Sequence, residues 1–236
     1  MRYNSPMDRM ELLGFGVDKY SFEEAVSLAD SGQVITINPE MISYASKNSD
    51  FAQIINEAEL VIPDGIGVQI GLKILGHNIK RIAGIDFARK MLDKFAGQPV
   101  ALIGAKPEII QKAVEKLKEE NQNFNFVYVQ DGYFTDENRV LEEVVLHNPK
   151  LILAALGSPK QEEFLYRLKI KLPNTLMIGV GGSFDVWSGE IQRAPVIYQK
   201  FGLEWLYRTI KEPKRFKRIF PTLPLFVLKV LRSKFC

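Results

Sequence analysis

Leu151-Ile152-Leu153-Ala154-Ala155-Leu156-Gly157-Ser158-Pro159-Lys160-Gln161-Glu162 is the stretch on which the reading of this chain turns. Six apolar residues in a row, with no polar alternation, fit a strand covered on both faces, as in a parallel sheet flanked by helices. Gly157 and Pro159 end that strand, and residues 159–169 carry a helical pattern. A strand that hands over to a helix in this way presents backbone N–H groups and polar side chains where α/β sheets bind ligands. The turn has a purely local explanation as well. Ser158 followed three residues later by Gln161 is a capping box, with Pro159 at the first helical position.

The same alternation extends in both directions. Strands are expected at residues 11–17, 34–37, 60–62, 100–103, 126–129, 151–156 and 175–180. Helices are expected at 22–30, 39–47, 51–57, 67–75, 86–95, 107–121, 136–147 and 159–169. The order predicts an α/β, Rossmann-like, mostly parallel sheet with helices on both faces. Neither internal repeats nor low-complexity tracts interrupt it. After residue 195 the pattern changes to an amphipathic helix at 198–210 and a basic stretch around Lys214-Arg215-Phe216-Lys217-Arg218. Pro221 and Pro224 then precede a short apolar-basic segment. The expected organisation is a core of residues 1–195 and a basic helical appendage of residues 196–236.

Composition narrows the classes. A chain of 236 residues with 46% hydrophobic and 25% charged residues suits a soluble globular α/β domain. The single cysteine, Cys236, excludes an internal disulfide and a thiolate metal cluster. Met1 to Met10 is polar and lacks the apolar centre of a secretion signal, so a cytoplasmic protein is expected. No 18-residue apolar run suggests a membrane span. The net charge of +3 is unevenly spread: residues 206–236 hold nine Lys or Arg against Glu212, a net +8, which leaves −5 for residues 1–205. Basic residues interleaved with Phe, Leu and Val suit an anionic membrane surface. An ordinary packed helix with solvated lysines has the same composition. Nucleic acid is not expected, because no nucleic-acid motif accompanies the charge.

Five further turns follow the expected strands. Asn38 before Pro39 is a good helix cap, but capping leaves Thr36 unexplained, and its hydroxyl falls at the carboxyl end of a strand. Asp64 in Pro63-Asp64-Gly65 either caps the next helix or serves as a general base. Gly104 before Ala105-Lys106-Pro107 lets a phosphate approach backbone at a helix start, though one glycine is a weak signal. Tyr133 in Asp131-Gly132-Tyr133-Phe134 either stacks on a base or belongs to a turn. Asp185, after the glycines of 179–182, can accept from a nucleobase imide or cap a turn. Arg193 follows shortly and, with Asn38, joins the candidate substrate-binding residues. His77 and His147 stand apart from these turns. No metal-binding triad and no Asp-x-Asp carboxylate clamp occurs, so neither a metal nor another cofactor is expected. If a nucleoside diphosphate is expelled here, arginines such as Arg208, Arg215 and Arg218 are the candidates to neutralise it.

Taken together, Thr36-x-Asn38-Pro39-Glu40, Pro63-Asp64-Gly65, Gly132-Tyr133-Phe134, Gly157-x-Pro159-Lys160-Gln161-Glu162, Gly181-Gly182-x-Phe184-Asp185, Gly189, Arg193-Ala194-Pro195 and Gly202-Leu203-Glu204-Trp205-Leu206-Tyr207-Arg208 resemble the WecG/TagA/CpsF family of bacterial glycosyltransferases, glycosyltransferase family 26. The resemblance spans about residues 11–220. It implies an inverting, metal-independent enzyme attached to the inner face of the cell membrane. The reaction implied is transfer of a sugar, often N-acetylmannosamine, from a UDP-sugar donor to N-acetylglucosamine on undecaprenyl diphosphate. Wall teichoic acid and other surface polysaccharides are made this way. By resemblance Asp64 is the general base, Thr36 helps position the sugar and Gln161 lines the pocket. Arg208, Arg215 and Arg218 of the appendage face diphosphate groups. A homo-oligomer is also implied as possible by the resemblance.

Two readings of other classes stand beside it. One is a nucleotide-binding redox protein, which Gly14-Phe15-Gly16 serves poorly because no third glycine follows at the required spacing. The other is a non-catalytic, membrane-associated scaffold, which leaves Thr36, Asp64 and Gln161 without a purpose.

Overall fold

The computed structural model describes residues 9–211 and 216–235, with the side chains of Arg208 and of residues 216–221 outside the description. The chain opens with β1 (Arg9–Leu12) and β2 (Phe15–Asp18), then α1 (Phe22–Leu28), β3 (Gly32–Ile37), α2 (Pro39–Ala45), α3 (Ser49–Asn56), β4 (Leu60–Pro63), α4 (Gly65–Ile74) and α5 (Gly84–Lys94). It continues with β5 (Pro99–Gly104), α6 (Pro107–Glu120), β6 (Asn125–Gln130), α7 (Glu137–His147), β7 (Leu151–Ala155), α8 (Lys160–Lys171) and β8 (Leu176–Gly179). Four helices follow: α9 (Ser183–Trp187), α10 (Val196–Lys200), α11 (Glu204–Lys211) and α12 (Phe216–Phe235).

Six strands form one sheet in the order β4-β3-β8-β7-β5-β6, every neighbouring pair parallel. The expected α/β fold is thus observed. Strand periodicity explains how one sheet serves two cores. Val100, Leu102, Leu151, Leu153, Leu176 and Ile178 point to the face covered by α1, α5, α6 and α9, where Phe87, Met91, Ile110 and Phe184 pack. Ala101, Ile103, Ile152, Ala154 and Met177 point to the other face, against Val144 of α7 and Phe164 and Leu168 of α8. Farther along that second face, Ile35, Ile37 and Val61 meet the β1–β2 hairpin and α2, α3, α4 and α12.

The structure differs from the sequence reading at several points. Residues 11–17 are not one strand of the sheet. Leu13 (φ 54°) and Gly14 (φ 87°) form a two-residue turn, so β1 and β2 pair antiparallel as a separate hairpin. Asp18 clips this hairpin to the sheet edge by accepting from Arg9 Nε at 3.0 Å and from the Val61 N–H at 2.7 Å. Gly14 therefore turns a hairpin and opens no dinucleotide-binding helix. Residues 198–210 are not one helix, because Gly202 adopts φ 69° and separates α10 from α11. α12 runs through Pro221 and Pro224 without ending. The expected capping box at Ser158 is absent: Pro159 occupies the cap position without a side-chain bond, and the Ser158–Pro159 peptide is cis. The segment after residue 195 also shares the core, since Phe226 and Val230 are buried within the second-face cluster.

Candidate active site

The carboxyl ends of β3, β4, β7 and β8 open into a cleft of about 630 Å³, closed on the far side by Glu204 and Trp205 of α11 and by Thr222 and Leu223 of α12. β3 connects to β4 on one side, whereas β8, its other neighbour, is reached from β7. Such a change of direction between adjacent strands leaves a crevice at their carboxyl ends.

Two side chains at the crevice floor approach α5. Thr36 is the penultimate residue of β3, and Asp64 follows β4. Both lie against Gly84, where a Cβ would stand 3.1 Å from Thr36 Cγ2 and 3.5 Å from Asp64 Oδ2. Because α5 starts without a side chain, the Thr36 methyl group and the Asp64 carboxylate can both come up against it. Asp64 also caps α4, accepting from the Gly65 N–H at 2.8 Å. The two meanings of Asp64 in the sequence, cap and candidate base, are therefore compatible in one geometry.

Asp64 is partly exposed, and its opening is into the cleft. Burial of the carboxyl is the largest influence on it and pushes its pKa from 3.8 up to about 6. Arg81 and the N–H groups of Gly65 and Gly84 pull in the opposite direction, and Glu204 adds to the rise. A carboxylate poised there is ionised at neutral pH yet more basic than an exposed aspartate, which is the property a general base needs.

Arg81 opposes the rise at Asp64 more than any other group, and it is held from three sides. Its guanidinium donates to the Gln199 carbonyl at 2.6 Å and lies 3.8 Å from Glu204 Oε2, while its own N–H donates to Gln69 Oε1 at 3.2 Å. Glu204 also meets Arg193 at 3.4 Å, and Arg193 forms a two-pronged bond to Asp86 at 2.6 and 2.7 Å. Alternating charges thus tie α5, the 75–83 loop, residue 193 and α11 into one network that braces the wall from behind. Bidentate arginine–carboxylate bonds fix geometry as well as charge.

On the opposite wall Gln161, buried at 4% exposure, accepts from the Gly181 N–H at 3.1 Å and donates to Glu162 Oε1 at 2.7 Å. Gly179 makes room for it, because a Cβ there would fall 2.4 Å from Gln161 Nε2. Glu162 is itself buried, and burial raises its pKa to about 7 against the pull of Gln161 and Ser158.

The cleft brings together Thr36, Asn38, Asp64, Gln161 and Asp185. Asn38 spends its Oδ1 on the N–H groups of Glu40 and Met41, both at 3.0 Å. Gly104, Tyr133 and Arg193 are not in the wall. Gly104 (φ 118°) is needed for sheet packing, since a Cβ would lie 2.3 Å from the Ala155 carbonyl oxygen. Tyr133 is 68% exposed, and its backbone N–H donates to Asp131 Oδ1, which caps the turn. Arg193 sits behind the wall on Asp86 and Glu204. Arg215 lies outside the described residues, as do the side chains of Arg208 and Arg218. Among the described residues no three His, Cys, Asp or Glu side chains converge as metal ligands.

Sequence reasoning gave no role to Arg81, Gly84, Asp86, Glu162 or Glu204. Arg81 lies in a loop that follows a helix, so a search of strand-to-helix turns passes it by. Gly84 falls two residues before the expected helix of residues 86–95, and only the structure puts it at the start of α5.

The sequence model of the glycosyl transferase WecG/TagA/CpsF family matches residues 10–236. A protein of Bacillus spizizenii named N-acetylglucosaminyldiphosphoundecaprenol N-acetyl-beta-D-mannosaminyltransferase is 34% identical over 204 residues, 85% of this chain and 79% of that protein. A Bacillus subtilis protein of the same name is 35% identical over 207 residues, 86% of this chain and 80% of that protein. With that match across nearly the whole length, the chain belongs to the WecG/TagA/CpsF family of glycosyltransferases.

Proposed function

We propose that the chain transfers N-acetylmannosamine from a UDP-sugar to N-acetylglucosamine carried on undecaprenyl diphosphate, with inversion and without a metal ion. The observation that carries this is the Asp64 carboxylate, raised to about 6 by burial and set beside Thr36 in a cleft large enough for a sugar nucleotide. The names of the Bacillus relatives supply the acceptor and the sugar.

In this mechanism Asp64 takes the proton of the acceptor hydroxyl as its oxygen attacks the anomeric carbon. The bond from that carbon to the nucleoside diphosphate breaks on the opposite face, so a single displacement inverts the centre. Thr36 holds a sugar hydroxyl next to the base. Gln161 and the Gly179–Gly182 turn form the wall against which the nucleotide rests, and Arg81 balances charge beside Asp64. Neutralisation of the departing diphosphate falls to Arg208, Arg215 and Arg218, as cationic donors aimed at developing charge do elsewhere.

The acceptor places the enzyme at the inner membrane surface. Among the described residues no helix is long and apolar enough to cross a membrane. Peripheral attachment is supported by Ile197, Phe201, Leu225, Leu228 and Phe235, which are exposed on α10 and α12 or just beyond α10, in the company of Lys200, Lys229, Arg232 and Lys234. The test is UDP release across a panel of UDP-sugars, with the lipid-linked acceptor present or absent and with or without EDTA. Acceptor-dependent release from UDP-N-acetylmannosamine that survives EDTA is expected. Release that EDTA abolishes overturns metal independence, and release only from another UDP-sugar overturns the donor.

A further inference from the structure

A second cavity shares a wall with the cleft. It is a groove of about 490 Å³ between the turn of the β1–β2 hairpin, α2 and α12. Leu13, Ile42 and Phe226 give it an apolar floor, and Ser43 of α2 and Ser46, which caps that helix, form one side. Lys229 and Arg232 stand along the helix side with Glu11 across from them, so the groove carries a net positive charge. Thr222 belongs to the wall of both the groove and the cleft.

The two cavities are joined along one line. Thr222, Phe226, Lys229 and Ser233 recur at spacings of four, three and four residues, which makes a single stripe on α12. At 1.5 Å per residue that stripe runs about 16 Å from the cleft. Leu225, Leu228, Leu231 and Phe235 are exposed on the outer side of the same helix. An apolar channel with a basic rim, beginning at a reaction cleft and ending beside an exposed apolar helix face, suits a long hydrocarbon chain with an anionic head.

Resting on the acceptor assigned above, we propose that this groove holds the first isoprene units of the acceptor's polyprenyl chain. The diphosphate then lies at the shared wall by Thr222, the sugar enters the cleft, and the chain leaves past Lys229 and Arg232 toward anionic lipid. A substrate whose tail stays in the bilayer must cross the gap to a cleft in the protein. The groove keeps the crossing units out of water, where exposed hydrocarbon is unfavourable.

The test compares two acceptors with the same N-acetylglucosamine diphosphate head, one on a full polyprenyl chain and one on a single isoprene unit. Ser46→Trp and, separately, Ser43→Phe fill the groove without touching the cleft. Each is expected to raise KM for the polyprenyl acceptor about tenfold and to leave kcat and KM for the short acceptor within about twofold, a tenfold change being about 1.4 kcal/mol of binding. Retained turnover of the short acceptor reports that the variant is folded. Equal effects on both acceptors, or none on either, overturn the groove while the transferase reading stands. A wild-type enzyme inactive on both acceptors removes the acceptor assignment and this proposal with it. A polyprenyl phosphate carrying a diazirine in its second isoprene unit gives a readout independent of turnover. Labelling of α2 or of the Leu13–Gly14 turn is expected, and labelling confined to other elements contradicts the assignment.

Discussion

Replacing the proposed base should make the folded protein more stable while disabling it. Asp64 has a folded pKa of about 6 against an ordinary 3.8. The folded state therefore holds the proton more tightly than the unfolded chain, and ionising Asp64 costs stability as pH rises through that interval. The cost is small below about pH 4 and complete above about pH 7. A shift of about two units corresponds to about 3 kcal/mol when fully expressed, and to about 2 kcal/mol of change between pH 4.5 and 7.5. Asp64 opens to water in the cleft, so screening reduces the expected change to about 1–2 kcal/mol. Asp64→Asn keeps an oxygen to accept from the Gly65 N–H, so the α4 cap survives. Urea unfolding of wild type and variant at pH 4.5, 5.5, 6.5 and 7.5 reads the difference directly. The variant's advantage should grow with pH and level off near neutrality. A difference independent of pH, or one that shrinks toward neutrality, refutes the burial argument for Asp64.

Three other perturbations separate positioning from packing. Gly104→Ala should cost about 3 kcal/mol or more, because a Cβ at φ 118° would lie 2.3 Å from the Ala155 carbonyl oxygen; a stable variant with weakened UDP binding by calorimetry would return Gly104 to the ligand. Glu162→Gln retains an acceptor for the Gln161 amide and removes a buried acid of pKa about 7, so its stability should gain on wild type between about pH 5 and 8 with donor KM unchanged, whereas Glu162→Ala should raise donor KM severalfold by releasing Gln161. Arg193→Lys loses one prong of the Asp86 pair, which should lower stability by about 1–2 kcal/mol in urea unfolding and leave donor KM within about twofold.

Much of the sheet was legible because residues 100–103 and 151–156 are apolar throughout, a pattern that a strand covered on both faces requires. Thr36, Asp64 and Gln161 were legible for a related reason. Each ends or follows a buried strand, and parallel strands bring their carboxyl ends together whatever their separation in sequence. What lay beyond reach depended on tertiary approach. A glycine at position 104 means the same in sequence whether a phosphate or a neighbouring strand comes close, and only the Ala155 carbonyl decides it. Gln161 offered both a cap and a pocket wall, and the space left by Gly179 settles its direction. The charges Arg81, Glu204, Arg193 and Asp86 come from four separate segments and acquire meaning only where the chain folds them into one network. The apolar residues interleaved with the basic ones divide in a way composition does not show: Phe226 is part of the core at 3% exposure, while its neighbour Leu225 is exposed.

The central claim is that Asp64 removes the acceptor proton. Its most direct test is kcat/KM for the lipid-linked acceptor from pH 5 to 9, in wild type and in Asp64→Asn. The wild-type profile should fall on the acid side with a midpoint near 6, following the ionisation of Asp64. The variant should be about 10²–10⁴-fold slower, the usual contribution of a positioned general base, and its profile should lack that limb. A variant that keeps both the rate and the acid limb would show that another group takes the proton.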